Sequence, residues 1–98
     1  MTRDAIVKTL RDHEADLRAA GIVSLALFGS AARSENTERS DIDLLAAFDE
    51  RVPLSLLDVV RLENFLGDLL DRKVDLVEER VLKARLRRNV EKDLVRAF

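Results

Sequence analysis

The residues best suited to chemistry in this chain are three aspartates and one Gly-Ser pair. Asp41 and Asp43 stand in Ser40-Asp41-Ile42-Asp43-Leu44-Leu45, Asp75 stands in Val74-Asp75-Leu76-Val77, and Gly29-Ser30 follows Phe28. Strand side chains alternate, so Asp41 and Asp43 share a face about two pleats apart. Two carboxylates held together repel, a cation relieves the repulsion, and Mg²⁺ prefers hard oxygen ligands of this kind. The plain alternative is a solvated strand end with two harmless acids. Asp75 interrupts an apolar strand, where a carboxylate is expensive to bury without a partner. It either pairs with a basic residue or joins Asp41 and Asp43 from a neighbouring strand. At Gly29-Ser30 a strand turns into a helical start, where backbone N–H groups lack intrahelical partners and suit an anion such as phosphate. Gly29 leaves no side chain in the way, and the Ser30 hydroxyl adds a donor. A simple strand-to-helix turn is the competing reading.

These groups must be positioned by a small set of elements. The hydrophobic period changes several times along the chain, and each change marks a boundary. Ile6, Leu10, His13, Leu17 and Ala20 fall on one helical face and predict a helix over 3–20, capped by Thr2, with Asp4 at its positive end and stopped by Gly21. Residues 22–28 predict a buried strand, 30–34 a short helix or helical turn, and 35–40 a loop. A second strand is expected over 41–48. Pro53 suits a first helical turn, and a helix is expected from there to Leu70. Its stripe of Leu62, Phe65, Leu66, Leu69 and Leu70 is expected in the core. Residues 74–77 predict a third strand and 82–92 a helix. Residues 94–98 fit either a last strand or the end of that helix. The result is a small α/β (α+β) domain with helices packed on a mixed sheet.

Composition narrows the function classes. The chain has 98 residues, which allows a single domain spanning 1–98. It has no cysteine and one histidine, which excludes disulfides, thiolate zinc sites and cysteine nucleophiles and counts against a Ser-His-Asp triad. No apolar run is long enough for a transmembrane helix or secretory signal, so a cytoplasmic protein without membrane attachment is expected. His13, on the first helix's apolar stripe, is read as structural. The stretch 80–96 carries seven basic residues against two acidic, a local charge of +5. It suits a nucleotide, a nucleic acid or an acidic partner, or is simply a solvated face. A net charge of −2 and the absence of Tyr and Trp for base stacking argue against direct nucleic-acid binding.

The joint pattern says more than its parts. Leu27-Phe28-Gly29-Ser30-Ala31-Ala32-Arg33, Ser40-Asp41-Ile42-Asp43-Leu44-Leu45 and Lys73-Val74-Asp75-Leu76-Val77 resemble the nucleotidyltransferase superfamily of DNA polymerase β type. Within it, the chain is similar to the minimal nucleotidyltransferases, the antitoxin half of HEPN/MNT toxin–antitoxin pairs. The order of elements agrees over nearly the whole chain, and no motif position departs from the family pattern. The third acid, often missing in inactive relatives, is present.

The resemblance implies that Asp41, Asp43 and Asp75 are catalytic and hold two Mg²⁺ ions, and that Gly29 and Ser30 grip the triphosphate. Asp75 matches the acid nearest the attacking hydroxyl, which it could help deprotonate. Two metals stabilise the entering and leaving oxygens of an in-line displacement. Arg33 either reaches a phosphate or an acid of the site, or bridges the following loop. Ser40 either takes part directly or caps the entry to the second strand. The implied substrate is ATP, and the implied partner is a HEPN RNase toxin silenced by adenylylation of a tyrosine. An antitoxin that acts only by covering its toxin, and transfer to a small molecule, are the alternatives.

Overall fold

The computed structural model describes residues 2–33, 41–81 and 94–98. Its first helix, α1 (Arg3–Asp12), starts where Thr2 accepts a hydrogen bond from the Ala5 N–H at 3.1 Å. It buries Ile6, Val7 and Leu10. The expected single helix over 3–20 is in fact two, because the backbone breaks at His13 before α2 (Glu14–Ala19). The cause is local competition for carbonyls. His13 Nδ1 lies 2.9 Å from the Thr9 carbonyl, and the His13 N–H turns to the Leu10 carbonyl at 3.2 Å. A side chain that takes the i−4 carbonyl displaces the helical bond normally made there.

Gly21, at φ +108, turns the chain into β1 (Ile22–Phe28). Then follow the short α3 (Gly29–Ala32), β2 (Ile42–Phe48), α4 (Leu56–Leu70), β3 (Val74–Glu78) and β4 (Val95–Arg96). The sheet runs β3-β2-β1-β4, with β2 and β3 parallel and the other two pairs antiparallel. It is the expected mixed sheet. The tail 94–98, readable from sequence as strand or helix, contains β4. The Ala97 N–H donates to the Leu25 carbonyl at 2.8 Å, and Arg11 Nε donates to the Ala97 carbonyl at 2.7 Å. Phe98 is buried with the Arg18 guanidinium 4.9 Å from its ring centroid. The helix expected over 82–92 lies outside the described residues.

One core holds these elements together. Leu25 and Leu27 of β1, Ile42, Leu44 and Ala46 of β2, and Val74 and Leu76 of β3 pack with Ile6, Leu10, Leu17, Leu62, Leu66 and Leu70 from the helices. Two expectations for α4 need correction. Pro53 does not open the helix. Ser55 does, through a reciprocal cap in which its hydroxyl accepts from the Asp58 N–H at 3.2 Å and Asp58 accepts from the Ser55 N–H at 2.9 Å. Nor is Phe65 in the core: it is 41% exposed, because the buried arc is the one through Leu62, Leu66 and Leu70 and Phe65 falls outside it.

Candidate active site

Strand register brings the three acids together. Asp43 and Asp75 are direct partners across the parallel β2–β3 pair, and Phe28 is the partner of Asp43 on the other side. Adjacent strands lie about 4.8 Å apart, so Asp43 and Asp75 emerge side by side on one face. Asp41 precedes Asp43 by two residues and emerges on the same face. The Ile42 N–H donates to the Lys73 carbonyl at 2.9 Å, which fastens the start of β2 to the start of β3. The opposite face carries Ile42, Leu44, Val74 and Leu76, all buried. Alternation thus separates the acids from the core.

Asp75 is exposed rather than buried, against the cost expected of an acid in an apolar strand. Its neighbours Val74 and Leu76 point into the core, and Asp75 points the other way. Asp41 is exposed too, and Asp43 is half-buried.

Gly29 closes against this row. Its φ is +69, and a β-carbon there would lie 2.5 Å from Asp43 Oδ2. No other residue type allows both that backbone angle and that approach without displacing Asp43. Behind it, Ala31 and Ala32 of α3 are buried, and Arg3 Nη1 donates to the Ala32 carbonyl at 3.4 Å. Ser30 is half-buried at the start of this turn, and Arg33 is exposed at its end. Ser40 lies outside the described residues. His13 stands at the junction of α1 and α2, where its ring contacts the Thr9 carbonyl.

The electrostatics follow from this crowding. Burial pushes the Asp43 carboxyl above the usual aspartate range, and the negative charges of Asp75 and then Asp41 push it the same way. The Arg33 guanidinium is close enough to pull it partly back. Lys73 Nζ lies 4.0 Å from Asp41 Oδ2. In their present rotamers, no three acidic or histidine side chains among the described residues converge on one metal position. The donor set nevertheless suits Mg²⁺: hard oxygens on adjacent strands, with a mutual repulsion that a divalent cation would relieve. Asp41, Asp43 and Asp75 are the residues that would hold it. The sequence reading quoted Lys73 in its third motif without assigning it to the site, although alternation from residue 73 into β3 puts residues 73 and 75 on one face.

A family model described as nucleotidyltransferase domain matches residues 6–97. The chain belongs to that family. It is similar to protein adenylyltransferase MntA of Thermococcus cleftensis, with 38% identity over 97% of this chain and 95% of that protein. A Methanocaldococcus jannaschii relative, also named as a protein adenylyltransferase, is 42% identical over 96% of each chain. Among solved structures, a minimal nucleotidyltransferase superposes with a TM-score of 0.77 at 41% identity, covering 97% of this chain and 95% of that one. A toxin–antitoxin structure with AMP-PNP gives 0.70 at 26% identity, covering all of this chain and 73% of that one. The chain is therefore a nucleotidyltransferase of the minimal, MntA-like kind, and its relatives are named for transfer of adenylyl groups to protein. Among the described residues no helix is long and apolar enough to cross a membrane.

Proposed function

We propose that residues 1–98 act as one catalytic domain that transfers AMP from ATP to a tyrosine hydroxyl of a cognate HEPN RNase toxin and so neutralises it. The observation that carries this reading is the pairing of Asp43 with Asp75 across β2–β3, with Gly29 pressed against Asp43. Acids set beside a side-chain-free turn can serve the phosphates and the reacting hydroxyl at once. The toxin–antitoxin neighbours, one of them solved with AMP-PNP, support both the antitoxin role and the nucleotide.

In this reading Asp41, Asp43 and Asp75 hold two Mg²⁺ ions, whose charge offsets that of the triphosphate and of the entering and leaving oxygens. Gly29 lets the backbone approach the phosphates. Ser30 donates its hydroxyl to them, Arg33 adds a positive charge, and Ser40, two residues before β2 in the sequence, is a further nucleotide-binding residue. The tyrosine oxygen bonds to the α-phosphorus as the bond to pyrophosphate breaks, and Asp75 receives the hydroxyl proton. Such transfer depends on positioning and charge neutralisation rather than on a protein nucleophile. That accounts for a site without cysteine or a Ser-His-Asp set.

The experiment incubates the toxin with this protein, ATP and Mg²⁺, then separates the two chains under denaturing conditions and refolds the toxin. Transfer leaves the toxin silent and heavier by one or more adenylyl groups, mapped to tyrosine by peptide mass spectrometry. An active toxin with no added mass would mean that the protein acts by covering its partner. Label on a small molecule instead would give the third reading.

A further inference from the structure

Registering the acids also registers a fourth side chain. With Ile42 opposite Val74 and Asp43 opposite Asp75, residue 73 falls opposite Asp41, and the Ile42–Lys73 backbone bond holds that register at 2.9 Å. Lys73 and Asp75 leave β3 on the face that Asp41 and Asp43 share. The four side chains form a two-by-two lattice of three carboxylates and one ammonium. The ammonium stands 4.0 Å from Asp41, with the Lys73 side chain 80% exposed and that of Asp41 50% exposed. Lys73 therefore has no packing role. What it holds is a position beside the Asp41 carboxylate.

We propose that Lys73 is a built-in counter-cation of the acid lattice. In the nucleotide-free protein it occupies the Asp41 corner and weakens divalent-metal binding there. When the nucleotide arrives with its metal, Lys73 gives up Asp41 and its ammonium pairs with the substrate's phosphate oxygens. The inference rests on the reading of Asp41, Asp43 and Asp75 as metal ligands. Its physical basis is simple: a positive charge about 4 Å from a ligand opposes a second cation at the same ligand, and solvent at this exposed corner reduces the effect without removing it. An ammonium on a flexible stem can move between a carboxylate and a phosphate, which a metal ion held by several ligands does less readily.

The test measures Mn²⁺ binding by electron paramagnetic resonance in the nucleotide-free protein, for the wild type, Lys73→Met, Lys73→Arg and Asp43→Asn. Lys73→Met should bind Mn²⁺ about three- to tenfold more tightly than wild type, a size set by one unit charge at a solvent-screened distance. Lys73→Arg should stay near wild type, since it keeps the charge. In steady-state transfer, Lys73→Met should raise KM for ATP more than it lowers kcat. Equal Mn²⁺ affinity in Lys73→Met and wild type, with binding still lost in Asp43→Asn, would overturn the role of Lys73 and leave the metal site standing. Mn²⁺ binding that Asp43→Asn does not weaken would overturn the metal reading and this inference with it. Because the Lys73 side chain projects into solvent, all Lys73 variants should fold, which circular dichroism checks.

Discussion

On one face of β2, Ile42, Leu44 and Ala46 are at most 1% exposed and lie in the same core as Leu27, Leu66 and Leu76. On the other, Asp43 stands between Phe28 and Asp75, its carboxyl pushed up by burial and by two like charges. The residues alternate along seven positions of a single strand. The inner set gains free energy by leaving water. Asp43, on the outer side, loses some through burial and like charges, a cost that Arg33 offsets in part and that a proton or a cation would relieve further. Stability and chemistry are thus separable by a shift of one residue, and substitutions on the two faces should have opposite signatures.

The largest expected effect on stability is on the inner face. Leu44→Ala should lower unfolding free energy by about 2–5 kcal/mol, read from urea denaturation, because the cavity opens in a fully buried site. A protein of this size could be largely unfolded by such a loss. A change under about 1 kcal/mol would mean that the sheet is not packed as described.

Gly29 joins the two faces, since its backbone angle belongs to the fold and its missing side chain to the site. Gly29→Val should cost about 1–3 kcal/mol of stability from strain at a positive φ. In the fraction that folds, calorimetry should show ATP binding lost. Ser30→Ala, which removes one hydroxyl donor, should weaken ATP binding by only about 0.5–1.5 kcal/mol. A folded Gly29→Val protein with unchanged ATP affinity would place the phosphates elsewhere.

The two faces were not equally legible in the sequence. The inner face could be read from strand alternation, and the Asp41/Asp43 spacing put both acids on the outer one. Their meeting with Asp75 depends on the register of two strands separated by α4, which no local pattern carries. The resemblance supplied it before the geometry did. Where local rules failed, a competing local interaction had won. The His13 side chain took a carbonyl from its own helix, and the Ser55–Asp58 cap overrode Pro53 as the helix start. Asp75 was expected to be costly because the sequence does not show which side of β3 faces the core. Lys73 was quoted as part of the third motif but given no role of its own, because a lysine before a strand has no distinctive spacing and only the register puts it beside Asp41.

The smallest expected effect on stability is a pH dependence on the outer face. Asp43 has its carboxyl raised in the folded protein, so the folded state holds a proton more tightly than the unfolded chain. That contribution is fully present below the ordinary aspartate value of 3.8 and is lost as pH rises through the raised folded value. Metal-free Asp43→Asn should therefore melt at the same temperature as wild type or up to about 3 °C higher at pH 7. The gap should close towards pH 4, as followed by circular dichroism, and Mg²⁺ should stabilise only the wild type. A variant clearly less stable than wild type at pH 7 would mean that Asp43 is held by a favourable partner rather than crowded by like charges.

The central claim is that the acids on the outer face perform the transfer. Its most direct test compares wild type and Asp43→Asn for transfer of α-labelled ATP to the purified toxin in the presence of Mg²⁺. The account predicts a covalently labelled toxin with wild type, and none with an Asp43→Asn protein that is equally stable and still co-purifies with the toxin. Equal labelling by the two proteins would contradict it.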